Sequence, residues 1–523
     1  MQYETVIGLE IHVQLATRSK AFCADDASFG GAPNTHTSVI SLAHPGTLPR
    51  LNKKAVEYAV RLGLALGCEI NPRSTFDRKN YFYADLPKGF QTTQQNNPIC
   101  IGGRCTVYGS RLTVHGTRWT VHGEQNSSTV HREPDVVYRL PGIVRIHHIH
   151  LEEDAGKSLH DQDPLDSLID LNRAGVPLLE IVTEPDLRSA EEVAAFMSEI
   201  RRLVRWLGIS DGNMEEGSLR CDVNVSVRKT GEQKLGNRCE IKNVNSMRFA
   251  RRAIEFEVKR QITILESGGK VEQETRGFDA DSGTTYSLRD KEDAHDYRYF
   301  PEPDLPPVVI SDSFLEKIKS EMPVLPQVLE QKFQTKYGLP AQDAEQLTQE
   351  PDVANYFLKL VEGRGRRVEG DATPPTSHPL PSTLPKAVSN LIINKLLPWS
   401  ASSGTPLSEG PVSPAAWIEF LNLIENGQVS SSTAYQKLFP ALLEKPDDAP
   451  TLLATELNLM QNADSDFLEK IADEVLARFP EKVAEYRKGK RGLLGFFMGE
   501  LMKASKGKAE PKTATQLLEE KLK

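Results

Sequence analysis

The sequence predicts an α+β fold: a large mixed α/β unit first, then helices to the end. Three features say so. Near its start the chain alternates apolar and polar residues from Ile7 to Leu15, which is the period of a half-buried strand. Strand-like alternation and Gly/Pro turns continue to about residue 290, broken by a few helical stretches. Beyond the proline-rich connector Tyr299–Pro307 the apolar residues recur at helical spacing.

The first strand sorts its residues by function. Ile7, Leu9, Ile11, Val13 and Leu15 form an unbroken apolar face, while Gly8, Glu10, His12 and Gln14 share the other. A solvated face would read the same way. A second acidic run, Glu152-Glu153-Asp154 after His150, tilts the reading, because with Glu10 and His12 it would complete a Mg2+ site.

Helices are predicted at Lys53–Leu66, Ala190–Trp206 and Arg248–Leu265. Ser189 is the N-cap of the second, with Glu191 and Glu192 in its first turn. Residues 111–140 read as an inserted hairpin or loop. Helices follow from Ser313 to Glu362, then a loose Gly/Pro/Ser/Thr-rich insertion at 364–385 and a helix at Lys386–Leu397. After a soft linker, Ser400–Pro414, a small helical bundle occupies Ala415–Lys523. The expected domains are therefore 1–294, 295–410 and 411–523.

A net charge of −9 argues against a protein that binds nucleic acid over its whole surface. The six cysteines include no CxxC pair, which fits free thiols better than zinc. No stretch approaches the ~18 apolar residues of a membrane span, so no membrane insertion is expected. Met1 leads directly into the first strand, with no cleavable targeting sequence visible.

Four further segments carry polar groups in quantity. Phe76–Gln91 holds Arg78, Lys79, Lys88 and several aromatics, a mixture suited to a phosphate or a nucleotide end, although a packed aromatic loop would share it. Leu151–Ser158 ends in Gly156-Lys157-Ser158, but Leu151 stands where a P-loop needs glycine. Its carboxylates repel one another unless a cation sits among them. Asn172-Arg173 is a candidate anion clamp ahead of a buried strand at Leu178–Val182. From Arg220 to Arg228 a strand puts Arg220, Asp222, Asn224, Ser226 and Arg228 on one face, as an exposed strand also would. No nucleophile elbow, HExxH or GxGxxG motif is present. In the basic, glycine-flanked stretch Tyr486–Lys508 the charges sit at the ends of an apolar helix, which favours RNA phosphates over a membrane surface.

Together Glu4–His12, Phe76–Gln91, Leu151–Ser158, Met214–Asp222, Asp296–Asp304 and Met502–Gly507 closely resemble the B subunit of the glutamyl-tRNA(Gln)/aspartyl-tRNA(Asn) amidotransferases, over nearly the whole chain. The resemblance implies a kinase-like cradle domain, a middle helical domain and a tRNA-holding tail. It implies ATP- and Mg2+-dependent phosphorylation of the side-chain carboxylate of misacylated Glu-tRNA(Gln), or Asp-tRNA(Asn), followed by amidation. The ammonia would come from the amidase subunit of the complex, with a small third subunit bracing the pair. Metal ligation is implied for Glu10, His12 and Glu153, with Glu152 beside them as a further catalytic group. Lys79, Lys88 and Arg220 are then candidates for ATP-phosphate or tRNA-end contacts. The segments at 111–140 and 364–385 resemble those of fungal mitochondrial members, implying the mitochondrial matrix, with the cytoplasm as the alternative. A non-catalytic tRNA-binding scaffold and a metal-dependent phosphohydrolase are the rival readings.

Overall fold

The structure is a computed structural model that describes residues 3–107, 142–159, 163, 165–244, 246–289, 297–363, 383–461, 465–505, 509 and 511–523. The expected loop at 111–140 and most of the insertion at 364–385 lie outside the described residues.

A ten-stranded sheet organises the first unit. Its centre comprises β1 (Tyr3–Gln14), β2 (Gly142–Glu153), β3 (Pro177–Thr183), β4 (Leu219–Lys229) and β5 (Cys239–Val244). Across the sheet these run in the order β5-β4-β1-β3-β2, continuing through Cys100–Ile101 to Glu69–Ile70 on one side. Beyond β5 lie Glu274–Asp279 and Thr284–Arg289. Pairing is antiparallel except between β5 and Glu274–Asp279. The chain's first strand is thus central, with β3 and β4 as its neighbours.

The predicted apolar face of β1 is the core. Ile7, Leu9, Ile11, Val13 and Leu15 are all buried in one cluster with Val193, Phe196 and Ile200 of helix α2 (Ala190–Trp206). Each such side chain contributes roughly 1.5–3 kcal/mol by leaving water. Helix α1 (Lys53–Ala65) buries Val56, Ala59 and Val60 in the same core, and α2 begins where predicted, with Ser189 accepting from the Glu192 amide. Helix α3 (Met247–Glu266) is capped by Ser246. All six cysteines are free, five of them buried.

The first compact unit runs to Leu325. The proline-rich segment read as a linker is tied back into this unit. Phe300–Pro301 pairs with Asp77–Arg78, Val308–Val309 with Arg73–Ser74, and Trp206 Nε1 donates to the Val324 carbonyl. Arg78 stacks on Phe90 and forks onto Glu302 at 2.7 and 2.8 Å.

Residues 326–523 form the second compact unit. Its described residues are helical, and Leu468–Leu522 nevertheless has an apolar core of its own that includes Phe497, Leu501 and Leu518. Among the described residues no helix is long and apolar enough to cross a membrane.

Candidate active site on the polar face of the sheet

The polar face of β1 meets titratable residues from both neighbouring strands. Across one row, His12 lies opposite Glu180 on β3, which lies opposite His150 on β2. Two residues along, Glu10 lies opposite Asp222 on β4. Alternation on each strand turns these side chains to one face, so long-range pairing gathers titratable groups from distant regions of the chain.

They form two clusters. In the first, single ligand atoms of His12, Glu152 and Glu180 lie within 4.8 Å of one another. His12 Nε2 is 3.3 Å from Glu180 Oε2, while His150 Nε2 sits 3.5 Å from Glu180 and 3.6 Å from Glu152. Burial disfavours the His12 imidazolium, but the Glu180 hydrogen bond and the charges of Glu180, Glu152 and Asp222 outweigh it and raise the pKa to about 9. Glu180 is held well below the usual carboxylate range: the two histidines and Lys79 prevail over desolvation.

Lys79, on the strand Asp77–Asn80, lies 5.0 Å from the centre of the Tyr297 ring. Although burial works against its charge, Glu152 and Glu180 keep its pKa raised. His148 stacks on His150, its Nε2 3.1 Å from His150 Nδ1. Burial, followed by the charges of His150 and His147, pushes its pKa down to about 4.

Glu10, Asp222 and Glu240 make the second cluster, again within 4.8 Å. Asn224 Nδ2 donates to Glu10 at 3.1 Å. Lys242 Nζ bridges Asp222 at 3.2 Å and Glu240 at 2.9 Å. Desolvation, with the charges of Glu180, Glu240 and Asp222, pushes the Glu10 carboxyl up.

At the edge of the first cluster, Arg220 of β4 stands opposite His12 and donates from one terminal nitrogen to Asp154 at 2.8 Å. Its Nε is buried without a hydrogen-bond partner. Glu153 belongs elsewhere. Its buried carboxylate is paired with Lys88 and accepts from the Thr92 amide at 2.9 Å. It lines a cavity of about 250 Å³ together with Phe22, Arg78, Lys88, Phe90 and Asp154, and none of the cavity's lining residues is in either cluster.

Residues 5–316 match the family described as the GatB/GatE catalytic domain, and residues 381–522 the GatB domain. The chain is 45% identical over its whole length to the whole of a Geotalea daltonii protein named as the B subunit of an aspartyl/glutamyl-tRNA(Asn/Gln) amidotransferase. Proteins of the same name from Syntrophotalea carbinolica and Thermodesulfovibrio yellowstonii are 44% and 43% identical, with at least 99% of each chain covered. The chain belongs to the GatB family of amidotransferase subunits.

Within this family member, the structure brings together some of the residues expected from sequence and separates others. His12 and Glu152 share a cluster, with Lys79 and Arg220 around it. Glu10 falls in the other cluster, and among the described residues no group of ligand atoms unites Glu10, His12 and Glu153. The reason Glu153 is absent lies in the strand itself: Glu152 and Glu153 are consecutive on β2, so they face opposite ways. Lys88 follows Glu153 to that side.

The Asn172-Arg173 clamp is also corrected. Arg173 donates to the carbonyls of Ala155 and Gly156 at 2.9 and 2.7 Å, and Asn172 accepts from the His36 amide, so both hold loops in place. The sequence reading missed Glu180, Glu240 and the role of Asp222. Glu180 sat in plain view as the one carboxylate within an apolar strand.

Proposed function

We propose that this chain is the activating subunit of a tRNA-dependent amidotransferase. It uses ATP and Mg2+ to phosphorylate the side-chain carboxylate of glutamate misacylated on tRNA(Gln), or of aspartate on tRNA(Asn), and ammonia then displaces the phosphate. The observation that carries this reading is the pair of carboxylate clusters sharing one face of β1 in a member of this family. The relatives' shared name supports the substrate class.

The residues present fit Mg2+. Glu10, Asp222 and Glu240 offer only hard carboxylate oxygens, and His12, Glu152 and Glu180 offer two carboxylates and an imidazole. Bound there, Mg2+ would neutralise charge on the phosphoryl group in transfer. The buried, unpartnered Nε of Arg220 fits an incoming oxyanion, because a buried donor without an acceptor is costly until one arrives.

The chemistry balances simply. A carboxylate oxygen of the substrate attacks the γ-phosphorus and ADP leaves, giving an acyl phosphate. Ammonia attacks the acyl carbon, phosphate leaves, and the surplus proton on nitrogen goes with it. Arg220 and Lys79 place positive charge beside the first cluster, where it would offset the charge of two anions brought together.

The cradle role for residues 3–325, tRNA binding by the tail, and assembly with an amidase partner and a small third subunit extend the same reading. The mitochondrial matrix is the proposed location, resting on the resemblance to fungal mitochondrial members; fractionation of the native protein tests it. ATP hydrolysis by the assembled complex, with and without Glu-tRNA(Gln), tests the function. Turnover that requires the charged tRNA and Mg2+ supports it; tight tRNA binding without tRNA-dependent turnover would favour a scaffold.

A further inference from the structure

The second carboxylate cluster is already occupied by a cation of the protein's own. Glu10, Asp222 and Glu240 bring three carboxylates within 4.8 Å, and Lys242 hydrogen-bonds two of them. Both oxygens of Glu240 are engaged, one by Lys242 at 2.9 Å and the other by the Thr275 hydroxyl at 3.0 Å. Lys242 also sits at a break in the sheet. The β4–β5 register shifts between Cys221 and Val223, so Lys242 and Asn243 together face the single residue Asp222. A bulge of this kind re-aims side chains beside a site. With 36% of its side chain exposed, Lys242 has room to swing outward.

Resting on the Mg2+ reading above, we propose that Lys242 is a resident counter-ion that a divalent cation must displace from the Glu10–Asp222–Glu240 cluster, its freed ammonium then binding a phosphate oxygen of the nucleotide. Two positive centres cannot share one cluster cheaply. A divalent ion takes its oxygens at about 2.0–2.6 Å, inside the shell that an ammonium holds near 2.9 Å. Displacement leaves a point charge on a flexible stem beside an arriving polyanion, the form in which lysine binds phosphate. Occupancy of this cluster is thereby coupled to nucleotide arrival: the nucleotide gives the expelled lysine a partner, and an ion alone does not.

The test is calorimetric titration of Mn2+, alone and with a non-hydrolysable ATP analogue, into the full chain carrying Glu180→Gln, which silences the first cluster. Lys242→Met and Lys242→Gln are compared with Lys242 in that background. Removing the competing charge should tighten Mn2+ binding about tenfold or more, and analogue affinity at saturating Mn2+ should fall about tenfold. Equal or weaker Mn2+ binding in both variants overturns the displacement. Tighter Mn2+ with unchanged analogue affinity overturns the transfer to phosphate. If no protein binds Mn2+, even with the analogue present, the metal reading of this second cluster fails and this proposal with it, whereas equal binding in all three sinks the lysine role alone.

Discussion

Glu152 and Glu153 are neighbours in the chain and strangers in the fold. Glu152 faces His12 and Glu180, while Glu153, one residue on, turns through the sheet to Lys88. Substituting them should therefore have separate consequences. Glu152→Gln or Glu180→Gln removes a ligand from the first cluster, and Mn2+ titration of the full chain should lose one site. Glu153→Gln should keep that site within about twofold in affinity. Loss of the site in Glu153→Gln would return Glu153 to the ligand set.

On the far face, Lys88 and Glu153 depend on each other. Lys88→Met would leave the Glu153 carboxylate buried with the Thr92 amide and no paired cation, and breaking such a pair costs about 3 kcal/mol or more. Denaturant unfolding should show the first unit destabilised by that order. A change below ~0.5 kcal/mol would mean that the pair is solvated in solution.

His12 gives the site a pH dependence with a definite sign. Its folded pKa of about 9 stands above the usual 6.5, so the imidazolium–Glu180 pair stabilises the ion-free protein fully below pH 6.5. That contribution fades as pH rises through about 9. Metal binding needs the neutral imidazole, so occupancy of the first cluster should release close to one proton at pH 7.5. Calorimetry in buffers of differing ionisation enthalpy measures this release. No release would mean that His12 is already neutral or does not ligate.

The core of Leu468–Leu522 is local, which makes the tail separable. Truncation after Gln461 should weaken tRNA binding at least tenfold while leaving ATP turnover at saturating charged tRNA within about threefold. Unchanged tRNA affinity would remove the tail from tRNA recognition.

How much of this was legible follows from range along the chain. The burial of Ile7 to Leu15 was readable because alternation is local, and α2 was readable because its cap, acidic first turn and apolar stripe are local too. The partners of His12 and Glu10 were not, since Glu180, Asp222 and Glu240 reach them only through strand register set over more than 160 residues. The opposite facing of Glu152 and Glu153 was within reach, since alternation applies to β2 as it does to β1. The segment Tyr299–Pro307 misled because proline-rich composition marks extended chain equally well in a linker and in an edge strand. Its pairing with Asp77–Arg78 decides between them.

The central claim is that the polar face of β1 activates a carboxylate with ATP, and one measurement bears on it most directly. It is ATP turnover by the chain assembled with its partner subunits, with and without Glu-tRNA(Gln), in Mg2+ and in EDTA, for the wild type and for Glu10→Gln and Glu180→Gln. The account predicts turnover that needs both charged tRNA and Mg2+, lost at least a hundredfold in either variant while the partner's glutaminase activity persists. Undiminished tRNA-dependent turnover in both variants would contradict it.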